Sequence, residues 1–269
     1  MDVRRGGEGG DGRRRAGGDF AGAAVVDRAF AVLRAFDAEH RALGLAELSR
    51  RTGLPRSTAL RMARRLVAAG ALERRGDGRY VIGLGLLEIA TLAPRGHGLR
   101  AVAMPYLEDL FHVIRRHVLL AVLDEEEALL VERLSAPEAG PVRFRVGGRM
   151  PLHAGGAGLV LLAFAPAATQ ERALRRFTAG ESVDALRDAE DLRRLLAEVR
   201  RGDYAVGSRS LPYPRATAAA PVRGPSGAVV AALSVVGPLD GFDPSAWIPA
   251  VRATARAVSR RLAEDEVPE

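Results

Sequence analysis

The chain contains no cysteine. That excludes a disulfide framework, a thiolate nucleophile and any zinc site built on cysteine sulfur, and it fits a reducing cytoplasm. Lysine is absent too: all 40 basic residues are arginine, a usage that a GC-rich genome explains without functional pressure. The longest apolar runs, near Ala157–Ala168 and Ala228–Val236, fall short of the roughly 18–20 residues a membrane helix needs. The first twenty-two residues are rich in Gly, Arg and Asp and carry no apolar core of a signal peptide. No internal repeat, nucleophile elbow, paired-carboxylate motif, metal-ligand cluster or G-x-G-x-x-G after a strand is present. The expectation is a soluble cytoplasmic protein that is not an enzyme, with no cofactor, no metal and no membrane partner.

What is present is unevenly spread. The 269 residues leave room for two domains. The net charge is +7. The window from Arg41 to Tyr80 holds ten arginines against three acids (Glu47, Glu73, Asp77), so its surplus of seven equals that of the whole chain. An acidic partner is therefore expected for one domain and not for the whole protein.

The organisation reads as a Gly/Arg-rich tail over 1–22 with nothing to bury, a domain over 23–83, a linker helix and hinge over 84–98, and a second domain over 99–269. Val26, Ala29, Phe30, Leu33 and Phe36 form a helical stripe. A second short helix fits Leu45–Arg51, closed by Gly53. Pro55 suits the first position of a third helix and Gly70 its stop. "ALERRGDGRYVIG" reads as strand, tight turn, strand. Further on, helices are expected over Leu84–Leu92, Leu99–Arg116, Gly156–Ala165, Thr169–Phe177, Asp188–Arg201 and Asp243–Leu262. Strands are expected on either side of the acidic turn in "VLLAVLDEEEALLVERL", over Arg143–Val146, and over Ala216–Val222 and Ala228–Val236. The near-continuous apolar character of the last two predicts a sheet covered on both faces. The fold class is α+β in two domains.

On a wheel of 100° per residue starting at Arg56, the residues Ser57, Thr58, Arg61, Arg64 and Arg65 fall between about 80° and 200°. Ala59, Leu60, Ala63, Leu66 and Val67 fall opposite, between about 280° and 40°. One face is apolar; the other carries donors and no acid. An isolated basic helix of this kind is often only a solvated face. Here it follows a short helix and a Gly turn and precedes a basic hairpin with Arg74, Arg75 and Arg79, which is the order of a winged helix-turn-helix. Arginine and short hydroxyl side chains suit phosphate oxygens and major-groove base edges. The expected DNA-binding residues are Arg56, Ser57, Thr58, Arg61, Arg64, Arg65, Arg74, Arg75 and Arg79, with Arg56 at the N-terminal edge.

The segments "VVDRAFAVLRAF" and "LGLAELSRRTGLPRSTALRMARRLVAAGALERRGDGRYVIGLGLLEIA", then "PLHAGGAGLVLLAF", "GDYAVG" and "ATAAAPVRGPSGAVVAALSVVGP", resemble the isocitrate lyase regulator (IclR) family of bacterial transcription regulators. The resemblance runs from about Ala23 to Leu262. It implies a GAF-like α/β effector-binding domain, a homodimer or homotetramer, and binding to a double-stranded DNA operator tuned by a small-molecule effector.

"MPLHAGGAG" also has its own reading. A strand ends near Leu152, small residues turn the chain, and a helix begins near Gly156. Such a turn frees backbone N–H groups for an anion, or simply permits close strand–helix packing. His153 reads as structural rather than catalytic. The resemblance places effector contacts at His153, Ala154, Gly155, Gly156 and Ala157, at Gly207, Ser208, Arg209 and Ser210, and at Thr217 and Ser234. The two hydroxyls sit in apolar strands, where they either bond the backbone or line a pocket. The chain departs from the family pattern at Leu159, where lysine is usual, at Val236, where a small polar residue is common, and after "GDYAV", where acids give way to Gly207–Ser210. These departures predict a more apolar pocket. Arg209 and Arg215 either pair with an anionic effector or are solvated. The expected function is a DNA-binding regulator, with repression as the default, responding to a small organic or aromatic acid. The alternatives are an enzyme with a nucleic-acid-binding appendage, with His153 as its best catalytic candidate, and a constitutive DNA-binding protein whose second domain only oligomerises.

Overall fold

The computed structural model describes residues 24–142, 144–177, 183–184, 186–210 and 213–264. The expected tail over 1–22 lies outside the described residues. The chain divides into two compact units between Leu92 and Ala93.

The first unit runs α1 (Val25–Arg34), α2 (Leu45–Thr52), α3 (Arg56–Ala68), β1 (Leu72–Arg74), β2 (Tyr80–Ile82) and α4 (Leu84–Thr91). Its core joins Val32, Leu48, Leu54, Ala59, Met62, Ala63, Leu72 and Tyr80. Two expectations need correction. Pro55 precedes α3 as its cap, with an extended ψ of 143°. Its carbonyl accepts the N–H of Ala59 at 2.9 Å, the first bond of the helix. The stripe on α1 is rotated: Val32 and Ala35 are buried, whereas Val26 and Phe30 are more than half exposed. Gly53 and Gly70 end α2 and α3 as expected.

Asp37 ties the loop after α1 to α2. It accepts the backbone N–H groups of Glu39 and His40 at 2.9 and 2.8 Å, meets His40 Nδ1 at 2.9 Å, and pairs with Arg51. Burial alone would raise its pKa. The hydrogen bonds from the His40 side chain and backbone, from Glu39 and from Arg51 outweigh it and hold the carboxyl at about 2.

The second unit opens with one π-helical turn (Pro94–Gly98) and continues with α5 (Leu99–Ile114), β3 (His117–Asp124), β4 (Glu127–Ser135), β5 (Arg149–Pro151), α6 (Gly156–Ala163), α7 (Ala167–Arg175), α8 (Ala189–Gly202), β6 (Ala205–Arg209), β7 (Arg215–Arg223), β8 (Val229–Pro238) and α9 (Pro244–Glu264). The six strands form one antiparallel sheet in the order β5-β4-β3-β8-β7-β6. The expected strand over 143–146 is absent from 144–146, and Arg143 lies outside the described residues. The strand forms instead at Arg149–Pro151, where it pairs with Glu127–Leu129. α5 stops at Ile114 because Arg115 turns to φ 52°.

Both faces of the sheet are covered, as the apolar strands predicted. Val118, Leu120, Val122, Leu233 and Val235 pack with α5 and α9. Leu119, Ala121, Ala219 and Ala232 face the other way, onto α6 and α8. Every residue of α6 is buried, which suits a helix apolar all round. Leu159, in place of the family's usual lysine, is one of them, with no exposure.

The depressed Asp37 pKa carries a pH signature. The folded value of about 2 lies below the ordinary aspartate value of 3.8, so its contribution is present above pH 4 and is lost as the pH falls through 2. Asp37→Asn is expected to destabilise the N-terminal unit by on the order of 1 kcal/mol at pH 7, a figure reduced for solvent screening. Calorimetric unfolding scans should find that this deficit shrinks between pH 4 and 2.

Candidate functional site

Two separate features, one in each unit, gather the residues expected to be functional.

In the first unit, α3 turns Ala59, Met62 and Ala63 inward and leaves Arg56, Ser57, Arg61, Arg64 and Arg65 exposed, with Thr58 half-buried. The wing is a three-residue pair, Leu72–Arg74 against Tyr80–Ile82. Its turn is closed by Arg75 N–H donating to Arg79 O at 2.8 Å and Gly78 N–H donating to Arg75 O at 2.9 Å. Arg74, Arg75 and Arg79 are exposed around that turn, and the Arg74 guanidinium lies 6.0 Å from the Tyr80 ring centre.

The acids of this window are all engaged elsewhere. Glu47 is taken by Arg50, at 2.5 Å. Glu73 accepts the first N–H of α4, from Leu84, at 3.1 Å. Asp77 accepts the backbone N–H of Arg79 at 3.0 Å. Arg50, Arg51 and Arg41 also spend their guanidinium groups inside the domain. Arg56, Arg61, Arg64 and Arg65 make no ion pair with any described residue. The surplus charge is therefore concentrated on the outer face of α3 and the wing, a face suited to an array of phosphates.

In the second unit, a pocket opens between the sheet and the start of α6. Ala154, Gly155, Gly156 and Ala157 line it, as do Ser208, Arg209, Thr217 and Ser234. The register makes this possible. Leu119 lies opposite Ser234 and Thr217 opposite Val236, so these side chains share one sheet face. A Cβ on Gly156 would sit 2.8 Å from Thr217 Oγ1, and one on Gly158 would sit 2.4 Å from the Leu152 carbonyl oxygen. Glycine thus serves both readings of the turn. Gly158 permits close packing, and Gly156 keeps the helix end open over a hydroxyl.

Thr217 and Ser234 are 8% and 1% exposed, and neither Oγ has a hydrogen-bond partner. They do not bond the backbone; they line the pocket. Two buried hydroxyls left unsatisfied cost about 1–3 kcal/mol each, and an occupant with polar atoms would remove that cost. Val236 lines the pocket with its apolar side chain, as its departure from the family pattern predicted; sequence reasoning missed the other walls, Leu119, Met150, Phe144, Val183 and Tyr213. These carry no local signal, because an apolar residue reads as core until the fold leaves a space beside it.

His153, Gly207 and Ser210 do not line the pocket. They hold one of its walls. The His153 carbonyl accepts Val183 N–H at 3.2 Å, and its ring packs edge-on against Phe177 at 5.4 Å. Ser210 donates its N–H and Oγ–H to the Asp184 carboxylate at 3.1 and 2.9 Å. Gly207 has no side chain where a Cβ would meet Val183 at 2.8 Å. All three thus fix the Val183–Asp184 segment. Arg215 also lines the pocket, half-buried: its Nε and Nη2 donate to the Pro141 carbonyl at 3.1 and 2.8 Å, pinning a loop that contributes Pro141 and Val142 to the pocket. His117 is buried on the same sheet face, its Nδ1 2.9 Å from Ser135 Oγ. Burial, with the Arg215 charge second, pushes its pKa down.

No group of three or more His, Asp or Glu that could hold a metal occurs among the described residues, and no helix among them is long and apolar enough to cross a membrane.

Comparison with known proteins agrees with both features. Residues 25–76 match the IclR helix-turn-helix domain, and residues 92–260 match the bacterial transcriptional regulator IclR C-terminal domain. The glycerol operon regulatory protein of Streptomyces griseus is 31% identical over 245 residues, covering 88% of this chain and 95% of that protein. The transcriptional repressor AllR of Escherichia coli K12 is 28% identical over 255 residues, covering 90% and 91%. Among solved structures, an IclR homolog from Microbacterium hydrocarbonoxydans complexed with 4-hydroxybenzoate superposes with a TM-score of 0.84. It is 35% identical and covers 90% of this chain and all of that one. With a basic face in one unit and a pocket in the other, this chain belongs to the IclR family of DNA-binding transcription regulators, whose action is modulated by an effector.

Proposed function

We propose that this regulator acts in the cytoplasm as a repressor. It binds a pseudo-palindromic double-stranded DNA operator as a homodimer or a dimer of dimers, and its affinity changes when a small aromatic or organic acid fills the pocket of the second unit. The observation that carries the effector reading is the pair of unpartnered hydroxyls, Thr217 and Ser234, on the floor of a pocket whose walls are mainly apolar. Apolar walls suit a ring. The hydroxyls and the N–H groups at the start of α6 suit oxygen substituents, and Arg209 at the lining supplies positive charge for a carboxylate. The 4-hydroxybenzoate complex of the Microbacterium relative supports this ligand class, and the repressor AllR supports the sign. The effector is bound and not turned over.

In the first unit, α3 enters the major groove with Ser57, Thr58, Arg61, Arg64 and Arg65, Arg56 lies at its edge, and Arg74, Arg75 and Arg79 of the wing reach the adjacent backbone. Residues 84–98 act as linker helix and hinge between 23–83 and 99–269. Leu84, Leu87, Ile89 and Leu92 are between 60% and 81% exposed, and Val25, Val26 and Phe30 are exposed on α1. This apolar surface, in the unit that carries the reading head, supports a second copy of the chain as its cover. Two reading heads then meet two half-sites about a helical turn or more apart. A binding change on effector uptake requires that the two states differ in effector affinity.

Arg61→Ala and Arg64→Ala should each weaken specific operator binding about ten- to a hundredfold and flatten its salt dependence; unchanged gel-shift affinity at physiological salt would remove α3 as the reading head. Thr217→Val and Ser234→Ala should lower effector affinity about tenfold each while leaving the melting temperature unchanged or higher, because each removes a buried unsatisfied group. A fall in melting temperature with no effect on isothermal titration of 4-hydroxybenzoate and related acids would count against the pocket. Leu87→Glu with Ile89→Glu should shift sedimentation toward smaller species and cost at least tenfold in operator affinity, since the two half-sites are then bound independently.

A further inference from the structure

A second cleft in the C-terminal unit shares no residue with the effector pocket. β6 begins at Ala205, opposite Ala219 of β7. Beyond that point the outer edge of β7, from Ala220 to Arg223, has no strand partner among the described residues, and the Arg223 N–H donates to Ser259 Oγ of α9 at 2.8 Å. The cleft lies against this edge. Asp203 and Arg223 form one part of its lining, and Arg252, Arg256, Ser259 and Arg260 of α9 form the other.

The three α9 arginines are spaced four apart, so they stack along one stripe of the helix, where like charges repel. The single acid in the lining is already used: Asp203 accepts Arg223 Nη2 at 2.8 Å. Arg223 is itself held by Gly227 O at 3.1 Å and by the Phe164 ring at 4.9 Å. Arg252, Arg256 and Arg260 make no ion pair or hydrogen bond with any described residue. Arg252 rests on the Tyr204 ring at 5.7 Å, and its Nε is buried without a hydrogen-bond partner. A buried donor left unmade and an uncompensated row of cations are both unfavourable. A ligand with several anionic oxygens would relieve both at once, because the guanidinium fork matches such groups two bonds at a time. A concave site with one donor below its surface fits a small ion better than the face of a macromolecule.

We propose that this cleft binds a small, multiply charged oxyanion, of phosphate or polycarboxylate chemistry, at a site independent of the aromatic-acid pocket. The test is isothermal titration of the full-length chain at low salt with inorganic pyrophosphate and, separately, with citrate. One saturable site is expected, weakened by salt and not competed by acetate; the tighter probe names the class. Arg252→Gln should raise the Kd at least tenfold. Arg256→Glu with Arg260→Glu, at exposed positions where folding is not at stake, should abolish binding. Arg61→Ala and Thr217→Val should leave it unchanged, which separates this site from the DNA-binding face and the effector pocket. The proposal is overturned if neither probe gives saturable heat, if binding survives Arg256→Glu with Arg260→Glu, or if it is lost in Arg61→Ala. Displacement of pyrophosphate by a short DNA duplex that depends on Arg256 and Arg260 would also overturn it, by making the cleft a nucleic-acid contact.

Discussion

The close approach of α6 to the sheet is the constraint on which the second unit depends. An apolar helix buried on all sides must pack directly on strands and on α8, and it does so through Gly158 against the Leu152 carbonyl and Gly156 against Thr217. Further along, Leu159, Val160 and Leu162 fill the space to the sheet. At its first turn there are only small residues, so the same packing that seals the core leaves a pocket at one end. Thr217 and Ser234 lie on the floor of that gap with their hydroxyls unsatisfied. An effector that supplies the missing bonds stabilises the occupied state, and it biases another equilibrium of the chain by as much as its affinity differs between the two states of that equilibrium.

The first unit follows a different logic, based on where its acids are spent. Glu47, Glu73 and Asp77 each satisfy a guanidinium or a backbone N–H within the domain. Each therefore has a structural task, and none is left beside α3. The outward arginines keep their full charge, which is what long-range attraction to a phosphate backbone requires. Asp37, tied to Arg51 and the His40 turn, does the same for the approach of α1 to α2.

Elements with strong local signals were legible in the sequence. The basic and apolar faces of α3, the Gly-Asp-Gly turn of the wing and the apolar strands β7 and β8 all stand where the residues suggested. The misreadings came where tertiary packing overrode local preference. "RFRV" alternates like a strand, yet 144–146 do not pair, and the short segment Arg149–Pro151 takes the edge beside β4. On α1, Leu33 and Phe36 of the expected stripe pack against the core, but Val26 and Phe30, as apolar as the buried Val32, face outward.

The candidate pocket divides along the same line. A two-domain α+β chain, a charge surplus confined to one window, and a glycine-rich helix start followed by hydroxyls in apolar strands are all readable from the residues. These are properties of residue type and spacing. The folded chain alone shows that Thr217 and Ser234 share a sheet face with Leu119 and Val236, and that His153, Gly207 and Ser210 brace the Val183–Asp184 wall without lining the cavity. It also shows that Arg215 clamps the Pro141 loop and that three arginines of α9 meet the open edge of β7. Strand register and the starting point of β6 at Ala205 set those neighbours, and both are fixed by long-range pairing that no local pattern encodes.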